Sequence, residues 1–153
     1  LCQSPQVATY DLKPEMSALE VSDAVTNSIL KNKFDFICVN FANPDMVGHT
    51  GDFNAAIKAC ETVDDCTNKI VSEGMKKEYS IVIIADHGNC EKMKNSDGTP
   101  NTAHTTNPVP IILVEKEKRK IVSGVLANVA PTILEIMGIE KPNEMDQKSL
   151  ISN

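Results

Sequence analysis

Three near-continuous runs of apolar residues place the tightest limit on how this chain can fold. They are FDFICVNFA at 34–42, YSIVIIA at 79–85 and VPIILV at 109–114. Strands that are apolar at successive positions, without strict alternation, suit a sheet that is covered on both faces, as in parallel α/β folds. The three runs therefore predict buried strands of a mostly parallel sheet, with Cys38 in the core.

Helical patterns surround these runs. They cover residues 17–30, 53–77 and 128–139. Ser17 and Glu20 have the spacing of a capping box at the start of the first helix. Pro131 falls in the first turn of the last helix, and Gly138 is a typical stop. The order of helices and strands predicts an α/β domain.

The charge and the cysteine content exclude several classes of protein. A net charge of −6 and a pI near 5.0 argue against binding to nucleic acid or to an anionic membrane surface. The apolar runs are far shorter than the roughly 18 residues that a membrane-spanning helix needs. Five cysteines without a CxxC pair are typical of reduced thiols. We expect a cytoplasmic protein with no nucleic-acid or membrane partner.

Carboxylates and imidazoles lie in polar loops at the ends of the predicted strands, with His104 just before the third strand. Asp45 and His49 lie in NPDMVGHTG, Asp86 and His87 in ADHGN, and His104 in AHTTNP. In an open α/β sheet, ligands bind beyond the carboxyl ends of the strands. We therefore expect these side chains to meet at one edge of the sheet.

Five such side chains are more than a four-coordinate catalytic zinc ion needs, so the pattern favours two metal ions. Oxygen and nitrogen ligands without a thiolate favour Mn²⁺ or Zn²⁺. A pair of divalent ions is typical of phosphate chemistry. The alternative for any single member is a solvated loop histidine or an ordinary turn residue.

Other polar residues beside these motifs are interpreted as structural. Cys90 directly follows DHGN, and we expect an inert buried thiol there more than a metal ligand. Thr50, Thr105 and Thr106 are interpreted as turn residues or as residues that hold a histidine in place.

The three motifs, together with SPQVATYDLKPEMSA near the start, resemble the C-terminal part of the cofactor-independent (2,3-bisphosphoglycerate-independent) phosphoglycerate mutases, of the alkaline phosphatase superfamily. The resemblance implies a three-layer α/β sandwich of the alkaline phosphatase type, here incomplete. Residues 1–153 would form the C-terminal portion of the metal-binding phosphatase domain. The nucleophile segment and the transferase domain would then lie outside this chain.

The resemblance also implies two manganese ions, with Zn²⁺, Co²⁺ or Mg²⁺ as alternatives. Asp45, His49 and His104 match the positions that bind one ion in that family. Asp86 and His87 match positions that bind the other. No other cofactor-binding residue is implied.

The implied reaction is an isomerisation that interconverts 3-phosphoglycerate and 2-phosphoglycerate through a phosphoserine. The serine is expected upstream, so no catalytic nucleophile is assigned within this chain. A phosphate clamp usually needs arginine, and the only arginine, Arg119, lies in the charged run EKEKRK. The expected partners are 2- and 3-phosphoglycerate and the missing N-terminal part of the same protein. Alone, this chain is predicted to be inactive.

Two alternatives remain open. A phosphopentomutase or another metal-dependent phosphatase of the superfamily shares the Asp-His-Gly motif. A non-catalytic metal-binding domain would hold an ion for stability alone.

Overall fold

A computed structural model describes residues 2–152 as an arrangement of helices around short strands, which confirms the predicted α/β class. The helices are α1 (Ala18–Leu30), α2 (Asn43–Gly48), α3 (Phe53–Lys76) and α4 (Val129–Ile136); the strands are β1 (Ile81–Ile84), β2 (Ile111–Val114), β3 (Lys120–Ile121) and β4 (Ile151–Ser152); 3-10 turns span Tyr10–Leu12 and Leu126–Asn128. Between residues 2 and 152, no helix is both long enough and apolar enough to cross a membrane.

The three predicted helices are confirmed, but the capping box is wrong. α1 begins at Ala18, and no side chain caps its first turn. The Ser17 hydroxyl donates to the Gln3 carbonyl oxygen instead. The backbone of Ser17 lies outside the extended conformation that a capping residue usually adopts, with φ −113° and ψ 25°.

The end of α4 follows the predicted pattern. Pro131 lies in the first turn, where its missing N–H costs no helical hydrogen bond. Gly138 follows the last turn with φ +68°, a left-handed conformation that glycine adopts without a steric penalty.

The long helix α3 is the scaffold for the N-terminal half. It packs against α1, where the buried Ser22 hydroxyl donates to the Cys66 carbonyl oxygen at 3.3 Å. On another side it packs against α2 through small side chains that allow a close approach. The shared cluster consists of Val47, Ala55, Ala56, Ala59 and Met93. α2 is thereby held in place, and it carries Asp45.

The strands pair in two antiparallel ladders. Ile81 pairs with Val114 and Ile84 with Ile111 in the first ladder, and Ile121 pairs with Ile151 in the second. The expected parallel pairing is therefore not found between β1 and β2. The connection between them, residues 85–110, is an irregular polar loop without the helix that usually carries the chain across a sheet to a parallel neighbour.

The first apolar run, 34–42, is not a paired strand in the part of the chain from 2 to 152. Its backbone is mostly irregular, and Phe36 is 53% exposed. Cys38 is also exposed, so its expected place in the core is wrong. Continuous apolar character signals that a segment is to be covered, but it does not identify the covering segment.

Asp52 caps the N-terminus of α3, where its Oδ1 accepts from the Ala55 backbone N–H at 2.8 Å. Asp52→Ala is expected to lower the free energy of unfolding by about 1 kcal/mol, as for other lost N-caps. Urea unfolding followed by circular dichroism measures the change. Asp64→Ala, at an exposed position within the same helix, is the matched control and is expected not to destabilise. Equal stability of the Asp52 variant and the parent protein would contradict the capping role.

Candidate metal centre

The antiparallel ladder brings two predicted site loops together. Because Ile84 pairs with Ile111, the end of β1 lies beside the start of β2. The Thr105 N–H extends this contact by donating to the Gly88 carbonyl oxygen at 2.9 Å. The rings of His87 and His104 are stacked in consequence, with centroids 3.7 Å apart.

The helix α2 adds two more predicted residues. Asp45 and His49 are one turn apart on α2 and its C-terminal cap, so both side chains project on one side. His49 Nε2 lies 3.2 Å from Asp45 Oδ1. The predicted pairing of these two side chains by their four-residue spacing is therefore seen in the structure.

Three potential ligand atoms converge at one point. His104 Nε2 lies 3.0 Å from Asp45 Oδ1 and 3.0 Å from His49 Nε2. His87 Nε2 is 3.9 Å from the same Asp45 oxygen. Four of the five predicted side chains thus form one group around Asp45, and the ligand atoms of Asp45, His87 and His104 all lie within 4.8 Å of one another.

Asp86 lies at the exposed side of this group, beside His87. Its side chain is 83% exposed, and its Oδ1 is 3.7 Å from His87 Nε2. Asp86 and His87 lie in a bend that follows β1, and His87 Nε2 is at a similar distance from the carboxylates of Asp86 and Asp45. The pairing of Asp86 with His87 around a second ion stays a prediction.

The donor set fits a divalent metal ion. His49 Nδ1 lies 2.6 Å from the Thr102 carbonyl oxygen, which can only accept, so Nδ1 carries a proton and Nε2 offers a lone pair. Ligand atoms about 2.1 Å from one ion, at angles of roughly 90–109°, would be about 3.0–3.4 Å apart. The observed separations of 3.0–3.2 Å match this spacing.

Electrostatics keep Asp45 in its charged form. Burial raises the pKa of its carboxyl group, but the Asn89 amide that donates to it and the nearby His49, His104 and His87 lower it. The pKa is therefore below its ordinary value. A carboxylate with a low pKa remains available as a ligand over a wide pH range.

Several residues that support the site were missed at the sequence level. Asn89 donates to Asp45 Oδ1 at 2.8 Å, and the Thr102 carbonyl orients His49. Glu91 accepts from the Thr105 hydroxyl and from the Asn107 amide at 2.9 Å. The polar character of residues 88–108 signals a functional loop, but nothing in it ranks one amide above another.

Cys90 fits its interpretation as a structural thiol. Its Sγ donates to the Pro44 carbonyl oxygen at 2.7 Å, and its side chain packs against the cluster between α2 and α3. A hydrogen bond with Cys60, together with burial, raises the pKa of the Cys90 thiol. A thiol with a raised pKa is a poor metal ligand and a poor nucleophile.

Comparison with known proteins identifies the family. The family model described as the metalloenzyme superfamily matches residues 1–141. This chain belongs to the metalloenzyme superfamily.

Curated relatives of this metalloenzyme are 2,3-bisphosphoglycerate-independent phosphoglycerate mutases. The protein from Flavobacterium johnsoniae is 59% identical over 151 residues, which are 99% of this chain and 30% of that protein. The protein from Clostridium acetobutylicum is 56% identical over 153 residues, again 30% of its length. The predicted resemblance is confirmed, and the chain spans about 30% of the length of these relatives.

A solved structure has the same fold. The phosphoglycerate mutase of Leishmania mexicana, crystallised at low cobalt concentration, matches with a TM-score of 0.89 and 29% identity. The match covers 97% of this metalloenzyme chain and 30% of the Leishmania chain. The name of the matched superfamily and the cobalt condition of this structure agree with use of a metal ion.

Glu91 is expected to titrate below the ordinary value of 4.5, because the Thr105 hydroxyl donates to its carboxylate and outweighs the effect of burial. The direction of this shift determines how stability depends on pH. Glu91 stabilises the fold above its ordinary pKa, and this contribution is lost as the pH falls through the lowered pKa. Carbon-detected NMR titration of the Glu91 carboxyl group measures the pKa. Thr105→Val should raise it toward the ordinary value, and an unchanged pKa in that variant would show that Thr105 is not the cause.

Proposed function

We propose that this chain is the C-terminal portion of the metal-binding domain of a phosphoglycerate mutase, and that it supplies most of the ligands for two Mn²⁺ ions. The complete protein would interconvert 3-phosphoglycerate and 2-phosphoglycerate in the cytoplasm. The observation that carries the proposal is the convergence of Asp45, His49 and His104 on one point, in a chain 59% identical to a named mutase.

Each side chain has a role that follows from its surroundings. Asp45 contributes a negative charge that stays unprotonated because of its low pKa. His49 presents Nε2 because Thr102 holds the proton on Nδ1. His104 is fixed from the other side by its stacking on His87. Side chains that are held before the ion arrives lose little conformational entropy on binding it.

The second ion is assigned to Asp86 and His87. Two protein ligands are too few for a closed site, so further ligands must come from other parts of the complete protein. The exposure of Asp86 supports this, because an exposed carboxylate is free to be covered by another segment. Two divalent ions, when bound, would neutralise charge on a phosphoryl group and favour ionisation of a hydroxyl nucleophile.

The substrate clamp is also assigned to the rest of the complete protein. Arg119, the only arginine in the sequence, is committed to Glu115, to which its Nε donates at 2.8 Å and its Nη2 also donates. That pair lies between β2 and β3, away from the metal centre. A phosphate clamp of the usual bidentate kind needs an arginine that is free to bind the ligand.

Removal of a ligand should abolish the reaction. In the complete natural protein loaded with Mn²⁺, Asp45→Ala and His87→Ala are each expected to lower turnover of 3-phosphoglycerate at least a thousandfold, on the order of the loss of a catalytic metal. Phosphorus NMR of the 2- and 3-phosphoglycerate resonances measures the rate. Asp97→Ala, at an exposed turn in the same loop region, is the control and should keep full activity.

The same assay separates the alternatives. Full activity in either ligand variant would contradict the metal-centre assignment. Faster turnover of a pentose phosphate than of phosphoglycerate would favour a phosphopentomutase. Metal binding without turnover of any phosphate ester by the complete protein would favour a non-catalytic domain.

Metal content tests the count of ions. The complete protein is expected to bind two Mn²⁺ per chain, and Asp86→Ala is expected to bind one, because Asp86 is assigned to the second ion alone. Elemental analysis after gel filtration gives the stoichiometry. Asp97→Ala again serves as the control. If the Asp86 variant retains both ions, Asp86 is not a ligand.

A further inference from the structure

We infer that Asn89 is the positioning residue for Asp45, and that Gly48 is required because it leaves the space in which the Asn89 side chain reaches Asp45. The inference rests on the proposed metal centre and extends it to two residues that do not bind the ion. Asn89 would contribute to metal affinity by orienting the Asp45 carboxylate.

The contacts of Asn89 are directed at Asp45. Its amide nitrogen donates to Asp45 Oδ1 at 2.8 Å and lies 3.3 Å from the Asp45 carbonyl oxygen. The acceptor Oδ1 is the same atom that His49 and His104 approach. One amide therefore fixes both the backbone and the side chain of Asp45.

The orientation of the Asn89 amide is set by Asp45. A flipped amide would place its oxygen against the carboxylate, where two acceptors repel each other. In the observed orientation, Asn89 Oδ1 has no hydrogen-bond partner among residues 2–152, although Asn89 is only 5% exposed. An unsatisfied buried acceptor destabilises the fold. Asn89 therefore leaves one buried acceptor unsatisfied while its amide nitrogen holds the Asp45 carboxylate.

Gly48 explains how Asn89 fits beneath α2. A Cβ at position 48 would lie 2.9 Å from Asn89 Cγ, and still closer to Asn89 Oδ1. It would lie 3.0 Å from Cys90 Sγ. Gly48 does not have a positive φ, so the backbone conformation does not require glycine. The requirement at this position is space, and Asn89 fills that space.

The neighbours of Asn89 fix it in turn. Gly88 accepts from the Thr105 N–H, Cys90 donates to the Pro44 carbonyl, and Glu91 accepts from Thr105. Residues 88–91 thus contact both α2 and the loop of His104. Asn89 is therefore held on a segment that moves little relative to either, which is what precise placement of a ligand requires.

The test measures metal affinity in the complete natural protein. Asn89→Ala is expected to weaken Mn²⁺ binding by about 10–100-fold, the usual effect of removing a group that orients a metal ligand. Isothermal titration calorimetry with Mn²⁺ gives the dissociation constants. The absorption spectrum with Co²⁺ is expected to change as well, because it reports the ligand geometry and a purely structural role would leave it unchanged.

Asn95→Ala is the matched control. The Asn95 amide also donates two hydrogen bonds, but to Thr99 and Pro100 within an exposed turn. This variant is expected to bind Mn²⁺ as the parent does.

Gly48→Ala provides an independent variant. Alanine is the better helix former, so α2 itself should not be weakened. We expect weaker Mn²⁺ binding nevertheless, because the new methyl group displaces Asn89. In the Asn89→Ala background the same change should have a smaller effect, since the main clash is gone, and this non-additivity is the signature of coupling between the two positions.

The outcomes are distinct. If the parent protein binds no Mn²⁺, the proposed metal centre fails and the role of Asn89 fails with it. If the parent binds Mn²⁺ and the folded Asn89 variant binds it equally, the metal centre stands and the positioning role is overturned. If circular dichroism shows that Asn89→Ala is unfolded, Gly48→Ala decides: parent-like affinity and Co²⁺ spectrum overturn the inference, and weakened binding supports it.

Discussion

The approach of two histidine nitrogens to Asp45 Oδ1 is the contact on which the rest of the site depends. His49 Nε2 and His104 Nε2 both lie within 3.2 Å of this oxygen. Three attachments of the fold hold these atoms together: α2 packed on α3, the ladder of β1 and β2, and the segment 88–91 between them.

Some parts of this structure could be predicted from the sequence and others could not. α1, α3 and α4 follow from apolar periodicity and end within about three residues of the predicted bounds. β1 and β2 fall inside the predicted apolar runs. The run 34–42 could not be resolved in the same way, because its apolar side chains indicate only that something covers it. The direction of the β1–β2 pair was missed because the sequence pattern of a buried strand does not encode the direction of its neighbour.

In the candidate site, too, some residues could be predicted from the sequence and others could not. Histidine and aspartate could be found from the sequence because few residue types bind metals and their loops adjoin predicted strands. Asn89 and the Thr102 carbonyl could not, since amides and backbone carbonyls are common in every polar loop. Their roles appear only when distances are known. Asp86 and His87 are neighbours in sequence, yet one faces solvent and the other stacks on His104.

Charge gives the final constraint on how a phosphate ester could bind here. The chain has a net charge of −6, and the bare site contains the carboxylates of Asp45 and Asp86, so by itself it repels a phosphate dianion. Two divalent cations would more than cancel these two carboxylates and reverse the sign of the local potential. In the proposed function, the ions would therefore bind before the phosphate ester. Because Arg119 is paired with Glu115, the positive charge at the site depends on the ions and on groups from the rest of the complete protein. A substitution that disturbs the position of Asp45 should then weaken phosphate binding as well.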